Sequence, residues 1–297
     1  MAKKNKIKNN RNIFTWIIFV FLAIYSISVI LPLLWGFMQT FKDGMFEWEF
    51  NKFGIPEEWV FDNYILAATT ALRIYVQDGA GGHFVYTPEM ILNSLLLSIS
   101  WTLVSLISHR LVAYACARFK FKLRGIIYGT VIVAMLLPIV GSLPSSIRIM
   151  KLLGLYDTFL GTLCMKASFT GTHFLVFYAA FKSVDMAYTE AATIDGANNY
   201  QIMFRIIFPL VFSTTMGILI LSFIACWNDY YTQMIYLQSM PTIAYGLFDS
   251  QSYGDSAASS VTTVRLAVCF VACVPTLILF TLFRKKIMEN IVVGGVK

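Results

Sequence analysis

Six apolar runs set the terms on which this chain can fold. They cover residues 12–41, 90–108, 125–147, 158–181, 206–228 and 264–283. Each is near the ~20 residues that an α-helix needs to cross ~30 Å of hydrocarbon at ~1.5 Å per residue. A soluble fold has no place for so much apolar surface. Of the 297 residues, 58% are hydrophobic and 13% charged, where soluble chains carry roughly twice that charge. The expectation is one all-α membrane domain of six transmembrane helices. The first run follows Lys3, Lys4, Lys6, Lys8 and Arg11, as the apolar core of a secretory leader would. It is too long for a cleaved leader, and no small-x-small cleavage site follows, so residues 13–41 read as a retained first helix.

Charge orients these helices. The net charge is +7, and the cations gather at alternate ends of the runs. Besides the five in residues 1–12, Arg110, Arg118, Lys120, Lys122 and Arg124 lie between the second and third runs. Lys182 and Arg205 flank the segment before the fifth, and Arg284, Lys285 and Lys286 follow the sixth. The opposite loops carry only Lys42, Lys52, Arg73, Arg148 and Lys151, with Glu47, Glu49, Glu57, Glu58 and Asp62 diluting the first of them. The excess of basic residues predicts cytoplasmic termini, at 1–12 and 285–297, and a cytoplasmic segment before the fifth run. Residues 42–89 then form an extracellular loop, and 90–284 the five-helix core. That loop holds Trp48, Trp59, Tyr64 and a Gly79-Ala80-Gly81-Gly82 turn, which reads as aromatic anchoring at the membrane surface plus a solvated linker.

Several chemistries are excluded. No basic stripe is interleaved with stacking aromatics, so no nucleic-acid partner is expected. Cys116, Cys164, Cys226, Cys269 and Cys273 form no C-x-x-C pair and lie in or beside apolar segments, so they read as small buried hydrophobes. Three scattered histidines offer no zinc constellation, and no metal is expected. There is no glycine loop for nucleotide phosphates and no nucleophile–base pair within the runs. The chain is not expected to be an enzyme, and it cannot power uphill transport by itself. No internal repeat supports an inverted-repeat carrier.

One polar interruption escapes the apolar pattern: residues 188–209, YTEAATIDGANNYQIMFRIIFP. Glu190-Ala191-Ala192 opens a short helix, with Ser183 as its expected cap and Asp185 on an early turn. Asp195-Gly196 breaks it, since glycine admits backbone angles other residues avoid. Residues 198–207 resume as a helix, and Pro209 falls near the start of the next run. A helix–bend–helix this small cannot support a core of its own. It reads as a knob for another molecule to grip.

The spacing Glu190, Ala191, Ala192, Gly196 and Pro209 resembles the EAA loop, here 183–209, of permease subunits of bacterial ABC importers. Asp195-Gly196-Ala197 has the form common to carbohydrate-type permeases of that family. Further matches are Asn93-Ser94-Leu95, Ala113-Tyr114-Ala115 with Arg118-Phe119, Pro138, Trp227-Asn228 and the closing Gly295-Val296-Lys297. The family often has proline where this chain has Asp185. The resemblance implies a multi-pass protein of the bacterial cytoplasmic membrane that carries an oligosaccharide or related sugar by alternating access. It implies four kinds of companion: a second permease, two ATP-binding subunits, an extracellular solute-binding protein and the membrane lipid. ATP and Mg would be bound by those ATPase subunits, with no cofactor in this chain. It also makes Glu190, Ala191, Ala192, Ile194, Asp195, Gly196 and Ala197 the residues on which an ATPase docks, and offers the outer loop as a docking surface for the binding protein.

Candidates for the translocation path come from the residues themselves. Thr162, Lys166, Thr170 and His173 recur at helical spacing, which would place them on one face of the fourth span. They either line a watery path and bond sugar hydroxyls, or Lys166 snorkels while the threonines join helices. Trp227, Asn228 and Tyr231, at the end of the fifth run, suit sugar C–H faces and hydroxyls, and equally an interfacial aromatic belt. Rival readings are a permease for a charged glycan fragment or polyol phosphate, a channel or secondary carrier, and a membrane-embedded glycosyl-transfer enzyme.

Overall fold

The structure, a computed structural model, describes residues 13–44, 47–78, 81–137, 141–252 and 261–293. The basic residues 1–12, Pro138, the Gly79-Ala80 half of the turn and Gly295-Val296-Lys297 lie outside the described residues, as do the side chains of 285–293.

The first helix, α1 (Ile13–Gln39), is apolar on every side and exposed along nearly all its length. A helix of that kind needs lipid or another chain around it. It touches the rest of the molecule near its end, where the Phe37 ring meets Phe270 edge-on at 5.4 Å. The following segment folds as a cap and not as the solvated linker expected. Two short helices, α2 (Glu47–Phe50) and α3 (Asp62–Thr69), precede a hairpin of β1 (Arg73–Asp78) and β2 (Gly81–Tyr86), paired antiparallel with Arg73 opposite Tyr86. This hairpin corrects the all-helical expectation. Ile74 and Val76 point inward while Arg73, Tyr75 and Gln77 point out, the alternation of a half-buried strand. Lys42 is fully buried and donates to the Asn51 carbonyl, and Asn63 donates to the carbonyls of Thr40 and Lys42. The end of α1 is thereby pinned to the cap.

The long helix α4 (Thr87–Arg118) is the axis of the molecule. Ser94, Ser98, Thr102 and Ala113 are buried on it. Small side chains let helices approach closely where lipid removes the hydrophobic drive between them. Three core clusters lie in order along it. At the hairpin end, Met90 packs with Leu72, Val85, Phe223, Trp227 and Val268; in the middle, Leu97 and Trp101 meet Leu237; at the far end, Ala113 and Tyr114 meet Phe174, Phe177, Phe181 and Phe208.

Two of the predicted spans are broken. The run 125–147 yields α5 (Arg124–Leu136) and α6 (Leu143–Leu152), the latter with Pro144 in its first turn, where proline starts a helix it could not continue. The run 158–181 yields α7 (Phe159–Lys166) and α8 (Thr172–Ser183), with Gly171 between them at φ +140°, a value side chains exclude. Next come α9 (Ala187–Ile194), α10 (Asn199–Gln201), a π turn (Ile202–Ile207) and α11 (Phe208–Leu210). The fifth span proper, α12 (Phe212–Trp227), begins six residues later than expected, bent 75° away from residues 199–210. The chain closes with α13 (Tyr231–Tyr236), α14 (Ile243–Ser252) and α15 (Thr262–Val293). Among the described residues, α1, α4 and residues 262–284 of α15 are long and apolar enough to cross a membrane singly, and the bent pair adds a fourth.

Candidate functional site

The polar interruption folds as an elbow between α8 and α12. Ser183 does not cap α9. It ends α8, and its hydroxyl donates back to the Ala180 carbonyl at 2.8 Å, a partner three residues away that a serine in a last helical turn reaches readily. Asp185 serves instead: its Oδ1 accepts the Ala187 amide at 3.0 Å, at the positive end of α9. Glu190 lies in the first turn of α9. The helix stops at Ile194, Gly196 reverses the chain at φ +81°, and the Ala197 amide returns to the Ala192 carbonyl at 2.9 Å. A capping box then starts the second limb, Asn198 Oδ1 accepting the Gln201 amide at 2.9 Å and Gln201 Oε1 accepting the Asn198 amide at 2.8 Å.

Of the seven expected docking residues, Glu190, Ala191, Ile194, Asp195 and Gly196 are exposed, Ile194 at 86%. Ala192 is buried and Ala197 half-buried against the chain's own core. At the tip of α9 the elbow presents Ile194, with Glu190 and Asp195 also exposed on that helix end, and Tyr188 and Tyr200 are exposed on its flanks.

The second polar region gathers at the break between α7 and α8. Thr162 and Lys166 lie on α7, Thr170 in the break and His173 on α8, so the single helical face expected for the four does not exist. Thr162 is buried and accepts the Trp101 indole N–H at 3.1 Å. The Lys166 ammonium lies 4.8 Å over the Trp101 ring and 2.7 Å from Asp229 Oδ2. Asp229 is held in turn by the Thr232 amide at 3.0 Å and hydroxyl at 2.5 Å. This lysine neither snorkels nor stands free: it is one half of an ion pair. His173 meets His109 of α4 edge-on at 5.6 Å, and His109 also faces the Thr170 carbonyl at 3.4 Å.

The aromatic group at the end of α12 divides. Trp227 is buried, stacked on Phe223, and its indole donates to the Ala272 carbonyl at 3.0 Å, fastening α12 to α15. Asn228 and Tyr231 are exposed. Sequence reasoning gave no role to Trp101 or His109 and did not pair Asp229 with Lys166. The signal available for Asp229 was general: a lysine within an apolar run calls for a counter-charge, and Asp229 is the acid at the end of the next apolar run.

Apolar helices, a polar cluster where α7 breaks from α8 and an exposed elbow before α12 are the features of a multi-pass membrane transport subunit. Residues 110–289 match the family described as "Binding-protein-dependent transport system inner membrane component", and the chain belongs to that family. It is a permease subunit of an ABC importer, a multi-pass protein of the bacterial cytoplasmic membrane. The diacetylchitobiose uptake system permease protein NgcG of Streptomyces coelicolor is similar, 26% identical over 92% of this chain and 86% of its own length. The sn-glycerol-3-phosphate transport system permease protein UgpE of Pectobacterium atrosepticum is 24% identical over 92% of this chain and 94% of its own. A chain of a bacterial ABC transporter that imports the acidic polysaccharide alginate shares the fold, with a TM-score of 0.75 at 21% identity over 93% of this chain and 97% of that one.

Proposed function

We propose that this permease moves an oligosaccharide or related sugar inward by alternating access, in a complex with a second permease, two ATP-binding subunits and an extracellular solute-binding protein. Its topology is six spans with both termini in the cytoplasm. The spans are α1, α4, α12, α15 and the broken pairs α5/α6 and α7/α8, and the basic residues at their cytoplasmic ends support that orientation. The chain itself catalyses nothing, and ATP and Mg are held by the ATPase subunits.

The observation that carries this reading is the elbow. In a chain of this family it sets Ile194 and Gly196 outward beside Glu190 and Asp195, an apolar peg with charged hydrogen-bond acceptors that suit an arginine-bearing groove. The test is a Glu190→Ala, Gly196→Pro double variant in the assembled complex. It should insert normally and lose at least about tenfold in solute moved per ATP hydrolysed; unaltered coupling would remove the elbow from the mechanism.

NgcG, named for a diacetylchitobiose system, supports the sugar class. UgpE, named for sn-glycerol-3-phosphate, keeps an anionic solute as a second reading. The ion pair favours the first, since Lys166 is already neutralised by Asp229. Stimulation of ATP hydrolysis by neutral glycans and not by polyol phosphates is the expected outcome.

A further inference from the structure

The Ala113-Tyr114-Ala115 motif with Arg118 sits where α4 passes the elbow. Arg110, Tyr114 and Arg118 recur every fourth residue and form one stripe on that helix. Arg118 Nη2 donates to the Val184 carbonyl at 2.8 Å, and its Nη1 reaches the Met186 sulfur at 2.8 Å. Both contacts are on the strand of chain that leads into α9. Arg110 Nη2 donates to the Phe208 carbonyl at 2.9 Å, and its guanidinium lies 3.7 Å over the Phe208 ring, on the limb that leads out. The buried Tyr114 ring is wedged between those legs, 5.4 Å from Phe181 and 5.7 Å from Phe208. Phe181 and Phe208 in turn stack on each other at 5.8 Å.

Arginines near the end of a membrane helix ordinarily extend toward the headgroups. These two turn inward and grip main-chain carbonyls, one on each side of the elbow. Charged hydrogen bonds of that kind are among the stronger polar contacts a protein makes. Near its middle α4 carries Trp101, over which the Lys166 ammonium lies, and toward its other end Ser94, whose hydroxyl accepts the Ile243 amide at 2.9 Å. One helix of 32 residues, about 48 Å long, therefore joins the elbow to the ion pair and to the hairpin end.

We propose that Arg110 and Arg118 are positioning residues of the coupling step: they lock both legs of the elbow to α4, so that displacement of the elbow drives this helix as a rigid lever. Without them the movement is absorbed by bending at Val184 and at the 75° turn after Leu210. This rests on the reading of the elbow as the ATPase handle.

The experiment has two readouts on Arg110→Ala, Arg118→Ala and the corresponding lysine variants. The first is amide hydrogen exchange of residues 184–211 in the purified chain in nanodiscs. It should quicken by about tenfold in either alanine variant and by less in Arg118→Lys, which keeps one charged donor. Arg110→Lys should recover less than Arg118→Lys, because lysine restores a donor but not the planar stack on Phe208. The second readout is solute moved per ATP hydrolysed in the assembled importer, which should fall about tenfold with each alanine and recover in the same order with lysine. Unchanged exchange in both alanine variants overturns the lock, whatever the ATPase does. Quicker exchange with unaltered transport per ATP overturns its role in transmission and leaves the docking reading intact. Failure of the unsubstituted chain to bind an ATPase is the failure of the docking reading itself, and the lever falls with it.

Discussion

In the proposed topology Lys166 lies within a span, where a lysine costs about 2.5–3.5 kcal/mol on insertion scales unless something answers its charge. Lys166 is answered three ways, by Asp229 at 2.7 Å, by the face of Trp101 and through Asp229 by Thr232. Removing either partner leaves the other charge stranded, which is more damaging than removing both. Lys166→Met and Asp229→Asn should therefore each lower the thermal unfolding temperature, and the double variant should lose less than the sum. The side chains remain 28% and 17% exposed, so the coupling energy is expected at about 1 kcal/mol and not at the several kcal/mol of a dry pair. Thermal unfolding of the four proteins in one detergent measures it. Additive losses would mean that the two residues do not stabilise each other. Asp229 lies far from Lys166 in sequence, at the end of a different span. That separation is why the lysine was legible as an anomaly while its partner was not.

Among the elements, the elbow was the easiest to read and the broken spans the hardest. Glycine, asparagine and acidic residues punctuate 185–201, and each does locally what its chemistry favours. Gly196 has no heavy atom within 4 Å of where a Cβ would stand, so Gly196→Ala meets only the strain of φ +81°, about 1–2 kcal/mol. Asn198→Ala removes the cap of the second limb, at about 1 kcal/mol. Both should appear as faster amide exchange confined to residues 187–202, with the core of α4 unchanged; spread of the effect into α4 would contradict the local origin argued for it. The apolar run 158–181 carries Gly161 inside α7 and Gly171 at the break, so glycine alone did not mark the break, and hydrophobicity does not distinguish one helix from two halves. The hairpin was not read from the sequence: the alternation at Ile74 and Val76 covers six-residue strands, a faint signal beside runs of about 20 apolar residues.

For the whole molecule, orientation is the statement most exposed to test. With the five native cysteines replaced, Ile194→Cys should react with an impermeant maleimide only from the cytoplasmic side. Phe53→Cys, at a position 88% exposed on the cap, should react only from outside. The reverse pattern would invert every assignment of inside and outside made above. The break between α7 and α8 has its own consequence for the membrane. A helix that halts at Lys166 and restarts at Thr172 interrupts the peptide ladder over 167–171, and in the proposed topology the hydrocarbon around that span offers those groups nothing. The Ala167 amide still reaches the Leu163 carbonyl, the Ser168 hydroxyl accepts the Thr170 amide and His109 faces the Thr170 carbonyl; the groups left over need further side chains or hydration. If water supplies them, the insulating thickness of this subunit is smallest there, and any leak of small ions through it will be decided at those five residues.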